Sequence, residues 1–238
     1  MDRIFGKAIP STEPLAQQEE HWISMSDLMA GLMMVFLFIS VAFMRYVQVE
    51  RDKVKEVAVA YQNSQVALYE ELNREFKSDL IKWDAEVDQA TLEFRFNSPE
   101  VLFDTGQNSL KPQFKVILNS FFPRYLSVIK NFKKDINEIR IEGHTSSVWS
   151  SSTSGDVAYF NNMELSQGRT RSVLQYVYSM PEVTDEREWI KGKFAAVGFS
   201  SSQLVFQENG KEDLDRSRRV SFKILTNAET QIRKIISN

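Results

Sequence analysis

The chain has 238 residues, 42% hydrophobic and 26% charged, which is room for one ordinary globular domain plus accessory segments. A net charge of −3 and the lack of any basic stripe speak against nucleic acid as a partner. The absence of cysteine excludes disulfides and thiolate metal sites, and two histidines, His21 and His144, offer no histidine-rich metal centre. No cofactor is expected.

Residues 1–21 are polar, carry Pro10 and Pro14, and read as a short tail. The segment 22–45 runs from Trp22 through Met44 and closes on Arg45; Leu28 to Met44 carries no charge and is mostly apolar. That run makes about 25 Å of helix, whereas crossing the hydrocarbon takes about 20 residues and about 30 Å. A spanning helix therefore has to include the turn that holds Ser24, Ser26 and Asp27. The carboxylate then sits inside the membrane boundary, near one end.

A signal peptide would want a basic start and a small-residue cleavage site. Here Glu13, Glu19 and Glu20 stand against Arg3 and Lys7, and Phe43-Met44-Arg45 is a poor cut site. A buried core helix is rarely apolar all round for so long. A transmembrane helix fits best.

Residues 46–83 contain no Gly or Pro and are dense in helix formers, so 46–90 reads as a helical stalk. Val47, Val54, Tyr61 and Leu68 recur every seven residues, and Leu72, Phe76 and Leu80 follow at spacings of four. That narrow apolar seam suits a parallel partner helix.

From about Thr91 the texture changes to alternating strands and helices. TLEFRF reads as a strand, Leu110 to Lys130 as an amphipathic helix entered through Lys111-Pro112, and INEIRIEGHT as a strand. Leu165 to Ser179 is expected to form a second helix, FAAVGFSS and RRVSFKIL two more strands, and the segment from about Asn227 a last helix. The pattern predicts an α+β fold over residues 91–238, a βαβαββ two-layer sandwich with helices on one face.

Three stretches resemble the OmpA-like peptidoglycan-binding domain shared by flagellar MotB, Pal and OmpA. They are Leu102-Phe103-Asp104 through Leu110-Lys111-Pro112; Ile141-Glu142-Gly143-His144-Thr145 with Asn162, Leu165-Ser166, Arg169 and Val173; and Val197-Gly198-Phe199-Ser200 with Ser217-Arg218-Arg219-Val220. Their order and spread, about residues 95 to 225, make the combination specific.

The resemblance implies a site that holds the diaminopimelate side chain of the cell-wall peptide. A zwitterion of that kind requires a guanidinium for its carboxylate and an anion for its ammonium. Carried over by motif, Arg169 is the carboxylate partner, and Asn162 and Leu165 supply an amide and an apolar wall. Arg218 is either a ligand contact or a structural ion-pair partner, and Thr145, Ser146 and Asn161 complete the candidate set. The chain departs from the family where an Asp would follow His-Thr, since Ser146 stands there. The segment from Thr145 to Asn162 is longer than usual and serine-rich, and Asp156 within it is the candidate to replace the missing carboxylate.

At the membrane end, S-D-L-M after an aromatic residue resembles the MotB class of stator subunits. Within that class, the S-D-L-M-A-G-L-M-M-V-F-L-F helix and the tail without a basic run resemble the ZorB family of Zorya anti-phage systems more than flagellar MotB. An ionisable group within a span is expensive and must face protein or water. The resemblance therefore implies a proton carrier at Asp27, with Ala30 and Gly31 allowing close approach of another helix. It also implies a MotA/ZorA-like multispan partner subunit, a second copy of the chain in a homodimer, and a grip on peptidoglycan. The bland alternative for Asp27 is a helix N-cap at the interface.

Counted alone, the positive charges at Arg45, Arg51, Lys53 and Lys55 would place the C-terminal side in the cytoplasm. The domain resemblance takes precedence and implies an inner-membrane protein with a cytoplasmic N-terminus and a periplasmic domain. A flagellar stator and a passive membrane-to-wall tether are the competing readings. An enzyme acting on peptidoglycan is disfavoured, because no catalytic carboxylate pair, zinc ligand set or Ser/His/Asp arrangement stands out.

Overall fold

The computed structural model describes residues 14–97, 99–150 and 153–227. Between Gly31 and Pro99 there is neither Gly nor Pro. Nothing in the sequence therefore interrupts the first helix, α1 (Pro14–Leu80). Residues 14–21, expected as tail, are thus helical. The chain divides into two compact units at Lys55/Glu56, and each is taken by itself.

In the first unit, an 18-residue window with mean hydropathy 2.2 is 0% buried. Leu28, Met33, Phe36 and Phe38 are all exposed. A core helix of that composition would be covered by its own chain, so this one has to be covered by something else, and its length matches a bilayer.

The second unit begins with the end of α1. Leu68, Leu72 and Phe76 are fully buried in the domain core, and Arg124 clamps the same turns. Its Nε donates to Glu75 Oε1 at 2.6 Å and its Nη1 to Asp79 Oδ2 at 2.8 Å, while the guanidinium lies 4.7 Å from the Phe76 ring. The later part of the heptad seam therefore faces its own domain rather than a partner helix. The physical reason is that an apolar stripe specifies a face, not what covers it.

The helix ends at Leu80, short of residue 90. Asp84 takes a left-handed φ of 46° and turns the chain into β1 (Ala85–Asp88). This strand, unexpected from the sequence, pairs antiparallel with β2 (Glu93–Phe96). Asp88 Oδ1 accepts from the N–H groups of Ala90 and Thr91 and closes the turn between them.

A single turn, α2 (Pro99–Leu102), leads to α3 (Pro112–Lys130), β3 (Ile136–His144) and α4 (Gly155–Ser179). A 3-10 turn (Pro181–Glu186) and α5 (Arg187–Lys193) connect to β4 (Phe194–Gly198), and α6 (Leu214–Ser217) leads into β5 (Arg219–Thr226). The sheet order is β1-β2-β5-β3-β4, antiparallel except for the β3–β4 pair. The expected sandwich is present, with β1 as an added edge. The helix expected from about Asn227 lies outside the described residues.

Alternation along the strands sorts the two sheet faces. Phe94, Phe96, Ile139, Ile141, Val220, Phe222 and Ile224 form the core face. Phe121 of α3 is its hub, with ring centroids 4.6 Å from Phe94, 5.0 Å from Phe222 and 5.3 Å from Phe76. The opposite face carries a buried polar row of Glu93, Glu142, His144, Arg219 and Ser221, with Arg95 beside it.

Candidate ligand cleft and membrane carboxylate

Two glycines bring α4 onto the sheet. A Cβ on Gly143 would lie 2.8 Å from Thr170 Cγ2 and 2.9 Å from the Ser166 carbonyl oxygen; one on Gly198 would lie 2.5 Å from the Gln167 nitrogen. This approach fixes the helix face on which Asn162, Leu165 and Arg169 stand at i, i+3 and i+7. α4 begins at Gly155, ten residues before the expected Leu165, so Asn162 sits well inside it.

That face borders a cleft of about 480 Å³. Thr145, Ser146, Asn162, Leu165, Arg169 and Arg218 line it, together with Phe103, Thr105, Gly106, Val148, Trp149 and Leu214. Asn162, 3% exposed, donates from Nδ2 to the Ser146 carbonyl at 3.1 Å and holds the loop that follows β3. The Thr145 N–H donates to the Ser200 carbonyl at 2.9 Å. Ser200 is buried with a left-handed φ of 54°, and its Oγ donates to the Tyr159 carbonyl at 2.6 Å. A strained residue held by α4 and the β3 loop together is a positioning device of the kind found beside sites.

Arg169 donates from Nε to the Gln107 carbonyl at 2.9 Å and from Nη2 to the Asp104 carbonyl at 3.2 Å. Its guanidinium lies 4.8 Å from the Phe103 ring. Burial, and after it the charge of Arg218, pull its pKa down to about 10, so it stays cationic at neutral pH. Arg218 is held from the other side by the Leu214 carbonyl and the Asp215 carboxylate.

Two residues that the sequence made candidates are not in the cleft wall. Asn161, one residue before Asn162, is turned about 100° away around α4 and does not line the cleft. Asp156 lies on the exposed first turn of α4 and is likewise not among the lining residues. Val148 and Trp149 belong to no motif and were missed by sequence reasoning. Their signal was two large apolar residues inside a serine run, and both are exposed.

Among the described residues one triad, Glu93, Glu142 and His144, has the spacing of cation ligands. Arg95 donates to Glu93 at 2.9 Å, and Arg219 acts electrostatically on both carboxylates. Arg95, which also pairs with Glu86 at 2.6 Å, and Arg219 set positive charge against these carboxylates. His144 stacks on Phe199 with centroids 5.1 Å apart, and burial holds its pKa below the ordinary value. Its role is packing within a buried polar row.

In the first unit, Asp27 is exposed and shares a groove along the helix with Met25, Leu28, Gly31, Leu32 and Val35. Gly31, one turn on, has open space where a side chain would be.

The OmpA family matches residues 102–219. The Zorya protein ZorB of Escherichia coli (strain ATCC 8739) is 59% identical over 236 residues, covering 99% of each chain. The chain belongs to the ZorB family. The YtxE protein of Bacillus subtilis (strain 168) is 28% identical over 124 residues, 52% of this chain and 44% of that one. Among solved structures, a MotB-like protein from Desulfovibrio vulgaris overlays with a TM-score of 0.49 at 21% identity, covering 75% of this chain and 99% of that one. The cell wall anchor of the T6SS from Pseudomonas aeruginosa overlays with a TM-score of 0.44 at 18% identity, covering 65% of this chain and 96% of that one. As a ZorB-family member with one uncovered apolar helix and an OmpA domain, the chain fits an inner-membrane anchor.

Proposed function

We propose that this ZorB-family chain is the wall-anchored stator subunit of an ion-driven motor in the inner membrane, acting in anti-phage defence. The observation that carries the reading is a carboxylate, Asp27, on an uncovered apolar helix of membrane length, in the same chain as an arginine-bearing cleft in an OmpA domain. A charged group costs on the order of 2.5–3.5 kcal/mol at the centre of a span and less near an end, where Asp27 stands, so one kept within the span has a partner or a task. Gly31, in the groove beside it, lets a neighbouring helix come close.

In this reading residues 1–21 face the cytoplasm, 22–45 span, and the OmpA domain grips peptidoglycan in the periplasm through Arg169, Asn162, Leu165 and Arg218, beside Thr145 and Ser146. Two copies of the chain sit within a ring of MotA/ZorA-like multispan subunits. Protons pass by way of the Asp27 carboxyl, and the wall holds this subunit still while the ring turns. The chain contributes anchorage and a carrier group rather than catalysis.

The test is Asp27→Asn, which keeps size and polarity and removes the ionisable carboxyl. Cells carrying the complete system are challenged with phage, and the protein is measured in the membrane fraction. Protection is expected to vanish while protein level and insertion stay as in wild type. Full protection by the Asn variant would refute the carrier role and leave a passive tether.

A further inference from the structure

The charges of the cleft point to more than wall binding in general. Its wall carries two guanidiniums, Arg169 and Arg218, and no carboxylate. Of the carboxylates on the flanking segments, Asp156 lies on the exposed first turn of α4 outside the wall, and three others are engaged. Asp215 pairs with Arg218, Asp104 is paired with Lys111 at 3.3 Å, and both oxygens of Glu212 are taken by the N–H and hydroxyl of Ser147. The polar groups at the other side of the wall are neutral. Ser146 is buried, and Thr145, 3% exposed, has an Oγ1 that is buried without a hydrogen-bond partner among the described residues. Val148, Trp149, Leu165 and Leu214 complete the wall with apolar surface.

A carboxylate is welcome in such a place and a free ammonium is not. Like charges placed together and an unpaired ion taken out of water are both costly. A neutral amide asks only for one donor or acceptor, and an unpartnered hydroxyl can supply it. Resting on the wall-binding reading above, we propose that the cleft selects a wall-peptide diamino acid whose carboxylate is free and whose neighbouring amine is acylated, the state found at a cross-link. The chain would then settle on cross-linked, load-bearing wall and pass over uncross-linked stems. Arg169 and Arg218 hold the carboxylate, Thr145 and Ser146 meet the amide, and Val148 and Trp149 cover the acyl group.

The test uses the full chain in detergent micelles and two soluble muropeptides that differ at one group. Both are the same disaccharide-tetrapeptide, with the side-chain amine of the diamino acid either free or N-acetylated. Calorimetric titration of wild type is expected to show the acetylated form binding about tenfold tighter. In Ser146→Asp, which returns an anion to the wall, the order is expected to reverse. Equal affinity of wild type for the two forms, or preference for the free amine, overturns the selectivity and leaves wall binding intact. Failure of both forms to bind overturns the wall-binding reading and this inference with it.

Discussion

Replacing Arg169 by Ala tests the cleft most directly. The substitution removes two hydrogen bonds to the backbone carbonyls of Gln107 and Asp104 and the stacking on Phe103. Hydrogen bonds from a charged donor are worth about 1.5–3 kcal/mol when well formed. Because the side chain is half-buried, the lower end applies, and the stacking adds about 0.5–1 kcal/mol. The fold is therefore expected to lose about 3.5–4 kcal/mol in all, with Tm falling about 2–4 °C for each kcal/mol. The core around Phe121 is untouched, so the domain stays folded.

Binding should suffer more. Removing one partner of a desolvated charge pair costs about 2–5 kcal/mol, which is about 30- to 5,000-fold in Kd. Arg169→Lys separates the two roles. It keeps the charge and loses the planar fork, and an intermediate loss of about tenfold is expected. The assay is retention of the full chain on purified sacculi at fixed salt, paired with a thermal melt of each variant. Retention equal to wild type in a folded Ala variant would remove Arg169 from the site and with it the reading of the cleft as a carboxylate receptor.

Phe76→Ala opens a hole against Phe94 and Phe121 and is expected to cost about 3–5 kcal/mol in a denaturant titration, whereas Val54→Ala, upstream on the same stripe, costs under about 1 kcal/mol. Similar small losses from both would show that the end of α1 is not docked as described. Gly143→Ala forces a Cβ against Thr170 Cγ2 and the Ser166 carbonyl, so a loss of about 1–3 kcal/mol is expected, with part of it recovered by Thr170→Ser. A melt unchanged from wild type would contradict the close approach of α4 to β3. Burial holds the folded pKa of His144 below its ordinary 6.5, so the unfolded chain takes up this proton first as the pH falls. The stability from His144 is complete above pH 6.5 and declines below it, by at most about 1.4 kcal/mol per pH unit, until the folded imidazole also titrates. Melts at successive pH values should show a smaller decline for His144→Gln. An identical decline in the variant would mean that the histidine is not buried as its neutral form.

The apolar run after Asp27, the core strands and the order of the motifs were legible because each rests on a period that survives without tertiary contacts: a long uncharged stretch, alternation by two, or a stripe by three and four. β1 was not legible because Ala85-Glu86-Val87-Asp88 carries one apolar pair and follows a run of strong helix formers; pairing with β2 makes it a strand. The start of α4 was hidden in a serine-rich stretch whose helical state is decided by packing on Gly143 and Gly198. Asn161 and Asn162 are the same residue type side by side, and only the helix phase says that Asn162 faces Ser146.

What the amino-acid order settled by itself was which segments avoid water and which groups are chemically able to hold a carboxylate or carry a proton, because those are properties of side chains. The tertiary structure decided what covers each apolar face and which charges meet. Leu68, Leu72 and Phe76 turned out to belong to their own domain, and the two arginines of the cleft turned out to face it with no acid in its wall. Both outcomes depend on distances between residues far apart in the chain: the first is set where the end of α1 packs on Phe94 and Phe121, the second where α4 closes on the sheet.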